Sequence, residues 1–293
     1  MKDFDLYLQG RRAQVDAELE RQMPPLTARP RRLHEAMRYA VFSGGKRLRP
    51  LLCLAAAEAC GAPAAPALPS AASIELLHTY TLVHDDLPCM DDDDLRRGRP
   101  TVHRAFDEAT ALLAGDALLT LAFEALTRPP APAGPAARLV FELASAAGSL
   151  GVIGGQVEDM EAEGRPPAAE QVDYIHTHKT AALIRASVRM GAIAGGAGED
   201  SIAAVTRYGD CAGLAFQIVD DILNATSTPE ELGKPAGTDA ARQKATYVAV
   251  HGLDHARRRA AALVEEAVAS VAGLGSPADA LIALARFVAS RTK

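Results

Sequence analysis

The chain has no tryptophan, and aromatic residues make up only 4% of its 293 residues. Proteins that bind single-stranded nucleic acid stack the bases on such rings, so the composition argues against that class of function. The formal net charge is −6, and the basic residues stand in short clusters. Phosphate contacts supply most of the affinity for nucleic acid, and a broad basic face is needed to make them. We therefore predict no nucleic-acid partner.

Cysteine is also scarce, and the four cysteines include no CxxC pair: Cys53, Cys60, Cys89 and Cys211. Scattered thiols favour a reducing compartment over disulfides or structural zinc. No uninterrupted apolar run is long enough to cross a bilayer, and the acidic first residues, Asp3 and Asp5, are not typical of a signal peptide. The expectation is a cytoplasmic protein without membrane insertion.

Helical patterns dominate the chain. Apolar residues recur at three- and four-residue spacing in four stretches, 33–41, 74–82, 112–126 and 214–222. This spacing predicts amphipathic helices. Breaks rich in proline and glycine, each short enough to join two helices, lie at 61–70, 129–135, 164–167 and 195–200. No change of composition marks a boundary, so we predict an all-α fold, a multi-helix bundle in a single domain over residues 1–293.

A first aspartate cluster runs from Asp85 to Asp94 and is followed by Arg96 and Arg97. Carboxylates at this density repel one another unless cations neutralise them. Mg²⁺ binds through one or two carboxylates together with substrate phosphates, and nearby arginines favour a phosphate ligand. Pro88 cannot continue regular helical hydrogen bonding, so it is expected to end the preceding helix and let Asp91 turn back toward Asp85. The alternative is a solvated acidic loop.

A second cluster comprises Asp220, Asp221 and Asn224 within an apolar helical pattern, with Lys234 and Lys244 downstream. Asp220 and Asn224 are four residues apart and share a helix face. Acidic residues among apolar neighbours would be costly to bury without a counter-ion. Either a metal ion or a buried ion pair with a basic residue satisfies that requirement.

The stretch from Gly44 to Arg49 joins two glycines to three cations. Glycine lets the backbone approach an anion, and lysine and arginine can then bind it. It is not a Walker A loop, because the spacing differs and no strand precedes it. Alone it is equally typical of a surface turn.

Taken in order along the chain, these segments resemble the trans-prenyl diphosphate synthases, and most closely the bacterial farnesyl diphosphate synthase (geranyltranstransferase) group. The resemblance extends over nearly the whole chain through segments 44–50, 82–101, 178–180, 216–221, 233–234 and 244–247. It implies an all-α prenyltransferase fold around a deep central cavity, and usually a homodimer. The implied reaction condenses isopentenyl diphosphate with an allylic diphosphate by ionisation, condensation and elimination.

The resemblance also implies roles for individual residues. Three Mg²⁺ ions are expected with substrate bound, and the metal-binding carboxylates would be Asp85, Asp91 and Asp220, with Asp86 and Asp221 beside them. The allylic diphosphate would be held by Arg96, Lys179, Lys234 and Lys244. Isopentenyl diphosphate would be held by Lys46, Arg49, His78 and Arg97. The allylic carbocation would be faced by Lys179, Thr180 and Gln217.

Product length is expected to depend on Tyr80, five residues before Asp85. In enzymes that resemble this chain, an aromatic residue there, with the insertion seen here as Pro88-Cys89, marks a C15 product. We therefore expect farnesyl diphosphate. The alternatives are a geranylgeranyl diphosphate (C20) synthase in which Tyr80 is only a core residue, a terpene cyclase, and a non-catalytic subunit of a synthase.

Two departures from the family pattern are visible. Asn224 stands where an aspartate is usual, and Tyr247 is not followed by the expected proline. Asparagine keeps an oxygen ligand but loses a charge, which predicts a raised Mg²⁺ requirement. Separately, the glycines at 151, 154 and 155, shortly before Asp159, indicate close helix packing.

Overall fold

The computed structural model describes residues 2–129, 131, 133–226 and 244–289, and these residues are mostly helical. Their contacts divide the chain into two compact units. The first comprises Met1–Leu51 and Ala65–Ala136, and the second comprises Leu52–Ala64 and Ala137–Lys293. The all-α fold predicted from the periodicity is confirmed. The single domain over residues 1–293 and the central cavity stay predictions.

The first unit is built around one buried helix. Its elements are α1 (Lys2–Gln22), α2 (Arg31–Val41), the start of α3 (Leu48–Ala59), α4 (Leu68–Asp85), β1 (Leu95–Arg96), β2 (Arg99–Pro100), α5 (Val102–Ala105) and α6 (Glu108–Ala125). Helix α4 packs against α1, α2 and α6, and its Ile74, Leu76 and Leu77 are fully buried. Burial of these side chains fixes the helix that leads into the first aspartate cluster.

Helix α4 begins earlier than the sequence indicated. The sequence predicts a break at 61–70 and helical periodicity from residue 74, whereas α4 starts at Leu68 with Pro69 in its first turn. Proline is tolerated there because the first amide groups have no helical partner. The predicted end is confirmed, since α4 stops at Asp85, shortly before Pro88.

A short β-hairpin, with two residues in each strand, follows the first aspartate cluster. The sequence did not predict it. Leu95 pairs with Pro100 and Arg96 with Arg99. The turn between them consists of Arg97 and Gly98, whose φ angles are 54° and 75°. Two positive φ angles are the requirement of a type I′ turn, which matches the twist of the strands that it joins.

The second unit is built around α11 (Glu199–Thr226). The other elements are the rest of α3, α7 (Ala136–Ala147), α8 (Val152–Ala162), α9 (Ala169–Ile175), a π-helical segment (His176–Ala181), α10 (Ala182–Ala194), α12 (Tyr247–His251), α13 (Leu253–Val271) and α14 (Asp279–Ala289). Helix α11 packs against α10, α13, α14 and the π segment. Its buried Tyr208 donates a hydrogen bond of 2.7 Å to the carbonyl of Leu281. These contacts hold the helix that carries the second aspartate cluster.

One stretch, Ala136–Ala162, is long and apolar enough to cross a membrane by length and composition. A turn at 148–151 divides it into α7, of 12 residues, and α8, of 11 residues. Each helix is shorter than the roughly 20 residues that span a bilayer. The absence of membrane insertion stays a prediction.

Candidate active site

The end of α4 brings Asp91 back to Asp85, as the position of Pro88 predicted. The amide of Asp91 donates to the carbonyl of Asp85 at 2.8 Å, and the amide of Met90 donates to that of Leu87 at 2.9 Å. The side chains of Asp85 and Asp91 are both half-buried. Two carboxylates are therefore carried on one tight turn beyond the helix end.

Asp86 faces the interior and forms an ion pair with Arg96. The Arg96 Nε atom donates to Asp86 Oδ1 at 2.6 Å, and a terminal nitrogen lies 2.6 Å from the same oxygen. The Asp86 side chain is 4% exposed and that of Arg96 is 31% exposed. Burial raises the pKa of Asp86 and outweighs the opposing effect of Arg96, and Asp93 and Asp91 add to the rise. Arg96 thus offsets part of the cost of burying this carboxyl group.

Arg47 anchors the glycine-rich loop to the interior. Its guanidinium donates to Asp16 at 3.0 Å, to Glu75 at 2.8 Å and to the carbonyl of Val41 at 2.8 Å. Arg47 is buried, whereas the neighbouring Lys46 is exposed. The loop is fixed by one of its cations and presents another to solvent.

Two of the predicted isopentenyl diphosphate ligands are in contact. An Arg49 nitrogen lies 3.2 Å from His78 Nε2. Burial lowers the pKa of His78 well below its usual value, and Arg49 and Arg97 add to this shift. A guanidinium nitrogen can only donate, so the Nε2 atom of His78 accepts from Arg49.

Arg97 lies over the same glycine-rich loop. Its guanidinium donates to the carbonyl of Gly44, and a Cβ atom on Gly45 would lie only 2.6 Å from it. Only glycine leaves room for the guanidinium at this position. The first unit therefore brings Arg97 onto the loop that also carries Lys46.

A cleft that is partly open to solvent lies beside these groups. Its lining includes Tyr39, Ser43, Thr79, Asp86, Arg96 and Arg97. A concave surface with two arginines can accept an anionic group.

In the second unit, Lys179 and Lys244 converge on Asp159. The Lys179 Nζ atom lies 2.5 Å from Asp159 Oδ2, and the Lys244 Nζ atom lies 3.6 Å from it. Lys244 also lies 3.7 Å from Glu163. Burial alone would raise the pKa of Asp159, but the two lysines outweigh it and the net pKa is lowered. The sequence predicts close helix packing shortly before Asp159 but not this contact with two predicted diphosphate ligands.

Lys179 and Thr180 lie on the π segment. Other helices approach this segment closely because they carry glycine where they meet it. A Cβ atom on Gly155 of α8 would lie 2.2 Å from the backbone nitrogen of Lys179. One on Gly213 of α11 would lie 2.6 Å from the Cα atom of Ala181. The close packing predicted for Gly155 is confirmed. π-helical turns are rare and frequently occur at functional sites.

Thr180, Gln217 and Asp221 form a hydrogen-bonded chain. The Thr180 hydroxyl donates to Gln217 Oε1 at 2.7 Å, and Gln217 Nε2 donates to Asp221 Oδ1 at 3.1 Å. Asp221 Oδ2 accepts from the amide of Tyr247 at 2.7 Å and lies 3.2 Å from His176 Nε2. The sequence does not predict this contact, since His176 and Asp221 lie far apart along the chain.

Asp220 is half-buried, while Asp221 and Asn224 are buried. Within the ranges that the structure describes, no three His, Cys, Asp or Glu side chains are close enough together to bind a metal ion by themselves. Carboxylate oxygens in pairs nevertheless suit Mg²⁺, which takes further oxygens from a bound diphosphate. The metal roles of Asp85, Asp86, Asp91, Asp220 and Asp221 stay predictions.

Two predicted residues remain. Lys234 lies outside the described residues. Tyr80 is 7% exposed, and its ring meets His84 edge-on with centroids 5.2 Å apart. It lies five residues before Asp85, and its role in limiting product length stays a prediction.

The chain is similar in sequence to known prenyl diphosphate synthases. A family model described as polyprenyl synthetase matches residues 30–275. The chloroplastic geranylgeranyl pyrophosphate synthase of Catharanthus roseus is 46% identical over 293 residues, which span 99% of this chain and 82% of the relative.

Solved structures show the same similarity. An FPP/GFPP synthase from Zymomonas mobilis superposes with a TM-score of 0.87 at 39% identity, covering 98% of this chain and 99% of that one. A geranylgeranyl pyrophosphate synthetase from Pyrococcus horikoshii Ot3 superposes with a TM-score of 0.91 at 31% identity, covering 99% of each chain. Fold, motifs and relatives agree, and the chain belongs to the polyprenyl synthetase family of trans-prenyl diphosphate synthases.

Proposed function

We propose that the protein is a Mg²⁺-dependent prenyltransferase that condenses isopentenyl diphosphate with an allylic diphosphate and extends it to geranylgeranyl diphosphate (C20). The observation that carries this proposal is that each aspartate pair has cationic side chains in its own unit. Arg96 lies beside the first pair, and the π segment beside the second pair carries Lys179. Both kinds of group are needed to bind a diphosphate and its metal ions.

Bound Mg²⁺ would neutralise the diphosphate as it departs from the allylic carbon. The protein would bind and orient that leaving group through Arg96, Lys179 and Lys244. Lys46, Arg49 and Arg97 would hold isopentenyl diphosphate so that its double bond is directed at the allylic carbon. Thr180 and Gln217 would direct oxygen lone pairs at the positive charge that develops. The final proton can leave to the released diphosphate, so no side-chain base is required.

The choice of C20 is supported by the relatives, two of whose three names specify geranylgeranyl diphosphate. These names favour the C20 alternative over the C15 product that the sequence motifs indicated. One observation favours C15 as a second candidate. Tyr80 is buried five residues, or about one and a half helical turns, before Asp85, where its ring could limit the length of the growing chain.

Product length by mass spectrometry tests the proposal. Purified protein would be incubated with isopentenyl diphosphate and Mg²⁺, with geranyl or farnesyl diphosphate as the allylic substrate. A C20 product from both, lost with EDTA and restored by Mg²⁺, is the expected result. A product that stops at C15 from geranyl diphosphate would favour the second candidate. No product at any Mg²⁺ concentration would favour the non-catalytic subunit.

A matched pair of variants adds a control. Asp220→Asn removes a predicted metal ligand and should lower turnover, most strongly at low Mg²⁺. Asp254→Asn removes an exposed carboxylate from the first turn of α13 and should leave turnover unchanged. Equal effects of the two changes would contradict the metal role of Asp220.

Assembly and location are separate proposals. We propose a homodimer, because Leu112 and Leu113 on α6 are large apolar side chains that are 47% and 57% exposed and would be covered at an interface. A monomeric mass by light scattering at micromolar concentration would contradict it. A cytoplasmic location stays a prediction.

A further inference from the structure

Asp221 is the centre of a hydrogen-bond network that joins three elements. It lies on α11, is 4% exposed, and accepts from the backbone of Tyr247 at the start of α12. It also contacts His176 at the start of the π segment and accepts from Gln217 on its own helix. Gln217 in turn accepts from Thr180. Both oxygens of this buried carboxylate therefore have donors within the protein.

The charge on Asp221 leaves only one arrangement of hydrogens in this network. A carboxylate can only accept, so the amide nitrogen of Gln217 must face it and the amide oxygen must face Thr180. The Thr180 hydroxyl must then donate its single hydrogen to that oxygen, over 2.7 Å. The two ends of a carboxamide are alike in shape, and the network decides between them. The remaining lone pairs of Thr180 Oγ1 and Gln217 Oε1 stay available to a positive charge.

We propose that Asp221 is a positioning residue that fixes the Gln217 carboxamide, so that the oxygen lone pairs of Thr180 and Gln217 face the allylic carbocation. The inference rests on the proposed function, which brings that cation to the π segment. Asp221 acts through Gln217, and its oxygens are engaged by the protein itself. Asp220, the half-buried neighbour, keeps the predicted metal role.

Asp221→Asn tests this inference with almost no change of shape. The new amide keeps an oxygen for the Tyr247 amide and His176 but turns its nitrogen toward Gln217. Two amide nitrogens cannot hydrogen-bond to each other, so the Gln217 carboxamide must rotate and present its nitrogen to Thr180. The Thr180 hydroxyl then accepts, and its hydrogen points elsewhere. The variant therefore reverses the direction of the hydrogen bonds between Thr180 and Gln217, the two side chains proposed to face the cation.

Binding of two analogues separates polarity from structure. One is an allylic thiolodiphosphate with a neutral chain, and the other carries a protonated tertiary amine at the position of the cationic carbon. Asp221→Asn should weaken binding of the cationic analogue by about tenfold, equivalent to about 1.4 kcal/mol, and that of the neutral analogue by less than about twofold. Equal weakening of both, or of neither, would overturn the proposal.

A double variant supplies the rescue. Combining Asp221→Asn with Gln217→Glu moves the carboxylate one position along the network. The new carboxylate accepts from the new amide and from the Thr180 hydroxyl, which restores the original polarity. Preference for the cationic analogue should return to within about threefold of the wild type. If the single variant unfolds, the double variant alone tests the proposal. A folded double variant that does not prefer the cationic analogue over the neutral one would contradict the proposal.

Failure of the proposed function is distinguishable from failure of this inference. Wild-type turnover with natural substrates tests the function, whereas the analogue comparison needs no turnover. Normal wild-type turnover with equal loss of both analogues in Asp221→Asn overturns the inference alone. A wild type that binds neither analogue and forms no product overturns both.

Discussion

Loss of the buried ion pair beside the first aspartate cluster should destabilise the protein in a pH-dependent way. In Arg96→Met, Asp86 remains buried near Asp91 and Asp93 but loses the guanidinium that lies 2.6 Å away. Removing one partner of a buried pair typically costs about 3–5 kcal/mol. Because the Arg96 side chain is 31% exposed, solvent screening should reduce the cost to about 2 kcal/mol.

The assay is thermal unfolding without Mg²⁺. For a chain of this size, about 2 kcal/mol corresponds to a fall in Tm of roughly 4–8 °C. The matched control is Arg104→Met in the same region. Arg104 pairs with Asp94, but the two side chains are 52% and 67% exposed. Exposed pairs contribute about 0–1 kcal/mol, so the control should shift Tm by no more than roughly 2–4 °C.

The pH dependence has a definite sign. Burial already raises the pKa of Asp86, and removal of Arg96 raises it further. A carboxyl group whose pKa is higher in the folded than in the unfolded state contributes stability below its unfolded pKa of about 4 and loses it as pH rises. The Tm deficit of Arg96→Met should therefore be larger near about pH 8 than near about pH 5. A deficit that is equal at both pH values, or equal to that of Arg104→Met, would refute the reasoning.

Three further predictions concern the second unit and product length. Gly155→Ala should cost about 1–3 kcal/mol in a denaturant titration, because the new Cβ would lie 2.2 Å from the Lys179 nitrogen; unchanged stability would contradict this packing. Asn224→Asp should lower the Mg²⁺ concentration for half-maximal turnover by about threefold or more, and an unchanged Mg²⁺ dependence would remove the proposed cost of the asparagine. Tyr80→Ala should lengthen the product seen by mass spectrometry if the ring limits the chain, whereas an unchanged product with a lowered Tm would make Tyr80 a core residue.

Much of the fold could be predicted from the sequence because its signals are local. Apolar periodicity located α2, α4, α6 and α11, and Pro88 indicated where α4 ends. The predicted start of α4 is wrong because Pro69 is typical of a break but is also compatible with a first helical turn. The hairpin turn at Arg97 was missed because a non-glycine residue rarely adopts positive φ, here 54°.

The π segment had no signal in the sequence. Its residues could equally have formed a regular helix, and its wide turn coincides with close approach of Gly155 and Gly213 from other helices. The contact of Asp159 with Lys179 was missed for a similar reason, since twenty residues separate the two along the chain. The resemblance in motifs could indicate which residues are expected to bind diphosphate, but it could not predict which carboxylates pair with them in the protein.

The two aspartate pairs show why adjacent carboxylates need not share a role. Neighbouring residues on a helix point about 100° apart, so when one faces a site the other is directed into the protein. In both pairs the first aspartate is half-buried and the second is buried. A buried carboxylate needs hydrogen-bond donors. Asp86 accepts from Arg96, and Asp221 accepts from Gln217 and from the backbone amide of Tyr247. Because Arg96 and Gln217 are both predicted to contact the substrate, the second aspartate of each pair is placed to orient such a group, and the predicted metal role falls chiefly to the first.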